Sequence, residues 1–164
     1  MNEDWCPIEG FSGYWVSTYG NVRSEFSSKY LTHSYVQYGI PTVGLSKHGK
    51  VYRRSVPVLV AKAWLPPPMR YDFVTPIHLD SDRTNCYFKN LMWRPRWFAV
   101  AYNREREENP FPRWRRPLEI VETEEIFKNP RSCSYVYGVL ERAVWRSILH
   151  QEPIFPYGFN ARYT

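Results

Sequence analysis

Residues 4–24 of the chain read DWCPIEGFSGYWVSTYGNVRS, and this stretch decides the fold of the N-terminal part. Gly10, Gly13 and the pair Gly20-Asn21 interrupt short runs of aromatic and β-branched residues. Aromatic and β-branched residues favour extended strands, whereas glycine favours the tight turns between strands. The stretch therefore predicts a small antiparallel meander.

The next forty residues predict a hairpin followed by a helix. Ile40 to Leu45 and Val51 to Ser55 flank a turn at residues 47–50 that contains a glycine. The apolar segment from Val56 to Leu65 has Pro57 in its first turn and three prolines after it, which is typical of a helix with defined ends. We expect a loop-rich stretch after Val74 up to Trp93, and then a short helix over residues 95–103.

The C-terminal part has a different pattern. Residues 118–120 and 126–127 predict two short strands. Two helices are predicted over residues 133–137 and 141–149, joined by a turn at Gly138 as in helix-turn-helix units. On the second helix we expect Val144 and Ile148 to face the core and Arg142 and Arg146, four residues apart, to share the opposite face.

A polar segment lies between these two parts: residues 104–117 read REREENPFPRWRRP and contain five arginines and three prolines. The prolines predict an extended linker, and the arginines could follow a phosphate backbone. A solvated connector without a ligand is the alternative interpretation.

Composition limits the classes of protein to consider. The chain has 164 residues, 22 Lys and Arg against 16 Asp and Glu, a net charge of +6 and 18% aromatic residues. The share of apolar residues in the chain excludes a disordered protein. No apolar run approaches the roughly 18 residues of a membrane span. The N-terminus predicts no secretory signal, and three widely spaced cysteines predict neither a disulfide framework nor a zinc site. We expect a soluble protein of a reducing compartment whose basic, aromatic composition suits nucleic acid.

Two stretches carry a resemblance to a known family. Residues 4–24 resemble the nuclease-associated modular motif that opens many phage and intron HNH homing endonucleases, with the pattern W-x-x-I-x-G-F, Tyr, V-S and G-x-V-R-S. Residues 78–93, HLDSDRTNCYFKNLMW, resemble the HNH core pattern H-x-D-G-N-x-x-N-N-x-x-x-N-L-x-W. Residues 56–66 resemble the stretch that precedes this core, except that Pro57 stands where the family has histidine. Residues 118–164 more loosely resemble the helix-turn-helix modules at the C-termini of these enzymes.

The resemblance implies an α+β fold, in which a small antiparallel meander and a ββα-metal-like HNH unit precede a small helix-turn-helix-like module. It implies an N-terminal DNA-binding motif over residues 1–54 and an HNH unit over residues 55–103. The Arg/Pro-rich linker over residues 104–117 and the C-terminal module over residues 118–164 would follow.

The resemblance also implies a chemistry that can be checked residue by residue. An HNH site hydrolyses a phosphodiester with one divalent metal and a histidine that activates water. His78 occupies the base position and Asn90 the position that orients it, while the two metal-ligand positions are occupied by Ile77 and Ala99. Neither of these side chains offers a lone pair to a hard cation. We therefore expect no cofactor, and Mg²⁺ or Mn²⁺ only if the site is active, in which case Asp80, Asn103 or the phosphate itself would hold the metal.

We expect duplex DNA as the partner, and no membrane. The candidate DNA contacts are Ser17, Arg23, Ser24, Arg94, Arg96, Arg113, Arg115, Arg116, Arg142 and Arg146. The resulting hypothesis is a DNA-binding protein descended from an HNH homing endonuclease whose cleavage site is lost. The alternatives are a metal-dependent nicking endonuclease, and a phage protein-interaction or virion component with a phage or host protein as partner. We expect the protein in the cytoplasm of the host of a phage or mobile element, or associated with the virion.

Overall fold

The structure is a computed structural model that describes residues 3–36, 39–108 and 116–164. The chain forms two compact units, Met1–Arg96 and Trp97–Thr164. We call them the N-terminal unit and the C-terminal unit. Among the described residues, no helix is both long and apolar enough to cross a membrane.

The N-terminal unit begins with the predicted meander. Its strands are β1 (Trp5–Pro7), β2 (Tyr14–Ser17), β3 (Val22–Ser24) and β4 (Ser27–Tyr30). They form an antiparallel sheet in the order β1-β2-β3-β4. Val16 and Val22 lie opposite each other and are fully buried, so one face of this sheet packs on the core.

The predicted hairpin and helix follow. β5 (Ser34–Tyr35), β6 (Pro41–Lys47) and β7 (Lys50–Ser55) form a second antiparallel sheet. The turn between β6 and β7 has positive φ at His48 and Gly49, as two-residue hairpins require. Helix α1 (Val56–Trp64) has a proline in its first turn and ends before the three prolines. Both predictions are confirmed.

The stretch predicted to be loop-rich contains two paired strands. β8 (Thr75–His78) pairs antiparallel with β9 (Leu91–Arg94), and a single 3-10 turn over Phe88–Asn90 precedes β9. Ile77 and Leu91 are buried, at 1% and 3% exposure. These four-residue strands are too short to show an alternating pattern, and their pairing depends on the core beneath them.

One hydrophobic core serves the whole N-terminal unit and runs from Ile8 in the meander to Leu91 in β9. The carbonyl of Thr18 accepts the Phe88 N–H at 2.9 Å, and the rings of Tyr19 and Tyr87 stack with centroids 4.9 Å apart. The core therefore continues across the boundary predicted between residues 54 and 55.

The helix predicted over residues 95–103 is longer than expected. Helix α2 (Arg96–Glu108) includes residues 104–108, which we predicted to begin the linker. Arginine and glutamate are strong helix formers, and the first proline after the helix starts is Pro110, so nothing in residues 104–108 interrupts the helix. The rest of the predicted linker up to residue 115, including Arg113 and Arg115, lies outside the described residues.

The C-terminal module contains the predicted strands β10 (Leu118–Ile120) and β11 (Glu125–Phe127) and the predicted helices α3 (Pro130–Tyr137) and α4 (Glu141–His150). Gly138 ends α3 in the left-handed conformation. A further strand that we did not predict, β12 (Ala161–Tyr163), pairs with β10 to give the sheet order β11-β10-β12.

The faces of α4 agree with the prediction. Val144 is fully buried and Ile148 packs against the core of this module, whereas Arg142 and Arg146 are exposed. Asn129 caps α3 by accepting the Ser132 N–H at 2.9 Å.

Candidate nucleic-acid interface and histidine loop

His78 ends β8 and is only 6% exposed. Its Nε2 is buried and has no hydrogen-bond partner among the described residues. Burial lowers the pKa of His78 from 6.5 to about 4, and the nearby carboxylates of Asp80 and Asp82 oppose this shift only in part. The imidazole is therefore neutral at pH 7.

Asn90, predicted to orient His78, is engaged in the loop between β8 and β9. Its Oδ1 accepts the Asp80 N–H at 3.0 Å. Its Nδ2 donates to Asp80 Oδ1 at 2.8 Å and to the Asn85 carbonyl at 2.9 Å. These three bonds close the loop, and no hydrogen bond joins Asn90 to His78 among the described residues.

Asp80 is the acceptor that organises the same loop. Besides Asn90, its carboxylate accepts the Asp82 N–H at 2.9 Å and Asn85 Nδ2 at 2.7 Å. This pattern makes Asp80 a residue that caps the loop. With both oxygens used in this way, Asp80 is poorly suited to replace a missing metal ligand.

The two metal-ligand positions hold buried apolar side chains. Ile77 in β8 is 1% exposed and Ala99 in α2 is 4% exposed. Divalent hard cations take oxygen ligands, which neither residue supplies. Across residues 3–36, 39–108 and 116–164, no three His, Cys, Asp or Glu side chains are grouped so as to hold a metal. The residues present do not fit the metal that an HNH reaction requires.

The buried imidazole predicts how stability depends on pH. The folded state favours neutral His78. The free energy of unfolding is therefore not reduced by this residue above pH 6.5, and it decreases as the pH falls toward 4. Relative to His78→Gln, which does not titrate, the wild-type protein is expected to lose about 3 kcal/mol over this range. Urea unfolding of both proteins at several pH values measures this difference. Parallel stability curves would contradict it.

Two serines predicted to meet phosphates are buried in turns. Ser17 is fully buried, and its hydroxyl accepts the N–H groups of Tyr19 at 3.2 Å and Asn21 at 3.0 Å. Ser24 is 9% exposed and accepts the Phe26 N–H at 3.1 Å. Both predictions are corrected, because the hydroxyls satisfy backbone donors of the meander.

The predicted arginines are divided between surface and interior. Arg94 is 2% exposed and donates to the Trp93 carbonyl at 2.8 Å, so it is not a surface contact. Arg23 and Arg96 are exposed on the N-terminal unit. Arg116 is exposed on the C-terminal unit, with its guanidinium 5.9 Å from the ring of Tyr163.

The N-terminus of α4 is held by an acid from α2. The carboxylate of Glu105, 6% exposed, accepts the N–H groups of Glu141 at 2.9 Å and Arg142 at 3.0 Å. This carboxylate satisfies two backbone donors that no helical partner can satisfy. The exposed side chains of Arg142 and Arg146 remain on the outer face, where Arg146 forms only a long, exposed pair with Glu152 at 3.9 Å.

Sequence reasoning missed the most basic surface of the N-terminal unit. We call it the basic hairpin, defined by Lys47, Lys50, Arg53 and Arg54 on β6 and β7. All four side chains are exposed, and none pairs with a carboxylate of the described residues. The sequence does contain evidence for this basic surface, because residues 26–71 contain seven Lys and Arg and no Asp or Glu.

A groove of about 670 Å³ adjoins this hairpin. Arg53, Arg54 and Lys62 line it, together with Glu9 and apolar residues that include Phe11. The guanidinium of Arg54 lies 5.2 Å from the ring of Phe11. Three cations against one acid give the groove a positive character suited to phosphate.

Comparison with known proteins agrees with this architecture. The family model of the NUMOD4 motif matches residues 3–46. No curated protein matches the chain. A solved structure described as "DNA binding and cleavage by the HNH homing endonuclease I-HmuI" is similar, with a TM-score of 0.54, 21% identity and 98% of each chain covered. The predicted α+β fold and the resemblance to HNH homing endonucleases are confirmed at the level of motif and fold.

Proposed function

We propose that this protein binds duplex DNA and does not cleave it. The observation that carries the second part is the presence of Ile77 and Ala99, both buried and apolar, where an HNH site needs metal ligands. Without a metal, the neutral His78 has no partner to stabilise the charge that develops on a phosphate.

The exposed cations support the first part of the proposal. The basic hairpin offers four of them, and Arg142 and Arg146 offer two on the outer face of α4. Phosphate contacts of this kind supply most of the affinity of non-specific DNA binding. In the proposed mode α4 enters the major groove, as the second helix of helix-turn-helix units does, while the hairpin follows the backbone.

The similar structure supports DNA as the ligand, since it is described as showing DNA binding and cleavage by an HNH homing endonuclease. An origin in a phage or mobile element, with the protein in the host cytoplasm or the virion, is part of the same proposal.

A nicking endonuclease is the alternative, and one observation favours it: His78 is neutral and its Nε2 is unpartnered, as a general base requires. In that case Asp80, Asn103 or the phosphate itself would have to hold the metal.

A plasmid-nicking assay in Mg²⁺ and in Mn²⁺ tests the proposal. We expect no nicking by the wild-type protein or by His78→Ala, because neither has ligands for the metal. A gel-shift assay on the same samples is the control that both proteins still bind duplex DNA. Metal-dependent nicking that disappears in His78→Ala would establish the enzyme instead.

A further inference from the structure

The outer face of the first sheet carries a cluster of aromatic rings around an arginine. Directly opposed residues of antiparallel strands lie on the same face, and Arg23 is opposed to Trp15 on one side and Tyr30 on the other. Val16 and Val22 are the strand neighbours of Trp15 and Arg23, so they belong to the opposite face, and both are buried in the core. Arg23, Trp15 and Tyr30 therefore belong to the face away from the core.

The side chains of this face are in contact. The guanidinium of Arg23 lies 4.5 Å from the ring centre of Trp5 and 5.5 Å from that of Trp15. The rings of Trp5 and Tyr30 are 5.5 Å apart. We call these four residues, Trp5, Trp15, Arg23 and Tyr30, the aromatic platform.

The platform retains free binding capacity. Tyr30 is 58% exposed, and Arg23 is exposed with no hydrogen bond or ion pair to any described residue. If Arg23 served only to cover the tryptophans, the exposure of more than half of Tyr30 beside it would have no explanation. A planar cation with unused donors, beside the exposed ring of Tyr30 and two half-buried tryptophans, complements a ligand that has both flat rings and negative charge.

We propose that the aromatic platform binds unpaired nucleotides of a single-stranded nucleic acid, with bases stacked on Tyr30 and the neighbouring rings and a phosphate bound by Arg23. Bases in a duplex stack on one another and cannot offer their faces to a sheet, whereas unpaired bases can. This activity goes beyond duplex binding and does not depend on it.

The test measures binding of the full chain to a fluorescent oligothymidine of about twelve nucleotides by anisotropy. Tyr30→Ala is expected to weaken binding by about tenfold, since one stacked base is lost. Tyr30→Phe keeps the ring and should bind as the wild type does. Tyr71→Ala, which removes a 93% exposed tyrosine outside the strands, is the matched control and should also leave binding unchanged. An oligouridine arm distinguishes RNA from DNA as the source of the nucleotides.

The same variants are measured on a duplex. Unchanged duplex affinity of Tyr30→Ala together with weakened oligothymidine binding supports the proposal. Equal weakening on both ligands would make the platform part of the duplex interface and overturn it. No binding of oligothymidine, or equal losses in Tyr30→Ala and Tyr71→Ala, would overturn it as well.

Discussion

Gly20→Ala is expected to destabilise the N-terminal unit by about 4 kcal/mol, one of the largest effects of a single methyl group in this chain. Gly20 has φ of +88°, and an added Cβ would lie 2.6 Å from Cys86 Cβ and 3.1 Å from Val56 Cγ1. Both neighbours are buried, at 3% and 0% exposure, and have no space to move aside. Urea unfolding followed by circular dichroism measures the loss.

Gly10→Ala is the matched control, because Gly10 also has a positive φ, +77°, but an added Cβ would meet nothing within 4 Å. Only the backbone cost remains there, about 1 kcal/mol. Equal losses in the two variants would show that the close approach of Gly20 to Cys86 contributes nothing.

This contact explains which parts of the fold were predictable. The turn at Gly20 follows from local sequence, but its packing against Cys86, in the loop between β8 and β9, joins residues far apart in the chain. The meander, the β6–β7 hairpin, α1 and the helix pair were predicted because each depends on residues close in sequence. Strands β8, β9 and β12 were missed because each is short and pairs with a strand far away in the chain, so that no local turn signal marks it.

The site shows the same division. The spacing around His78 and Asn90 carries the resemblance from which Ile77 and Ala99 are predicted to occupy the ligand positions, and this assignment stays a prediction. Polarity alone could not show that the hydroxyl of Ser17 satisfies backbone donors, or that Arg94 is buried. The basic hairpin was missed for a different reason: the net charge of +6 was summed over the whole chain, which averaged the acid-free stretch with its acidic neighbours.

The basic hairpin gives the largest expected effect on DNA binding. Replacing Lys47, Lys50 and Arg53 together by alanine should weaken duplex binding by about two orders of magnitude near 0.1 M salt. The slope of log affinity against log salt should also fall by about 2.7, since each of the three lost phosphate contacts contributes about 0.9. Arg54 is kept, because it packs on Phe11 and its loss would disturb the fold. Anisotropy titrations at several salt concentrations measure both quantities.

The control triple variant replaces Arg70, Lys89 and Lys128, which are exposed and lie outside the hairpin. It changes the net charge by the same amount, so general attraction to DNA falls equally in the two proteins. If the hairpin contacts phosphates, only its variant loses salt slope, because counterions are released only where a cation meets the backbone. Equal losses of affinity and salt slope in both variants would show that the hairpin acts only through its net charge. Wild-type binding without a salt slope would instead favour a protein-interaction role, since no phosphate would then be neutralised.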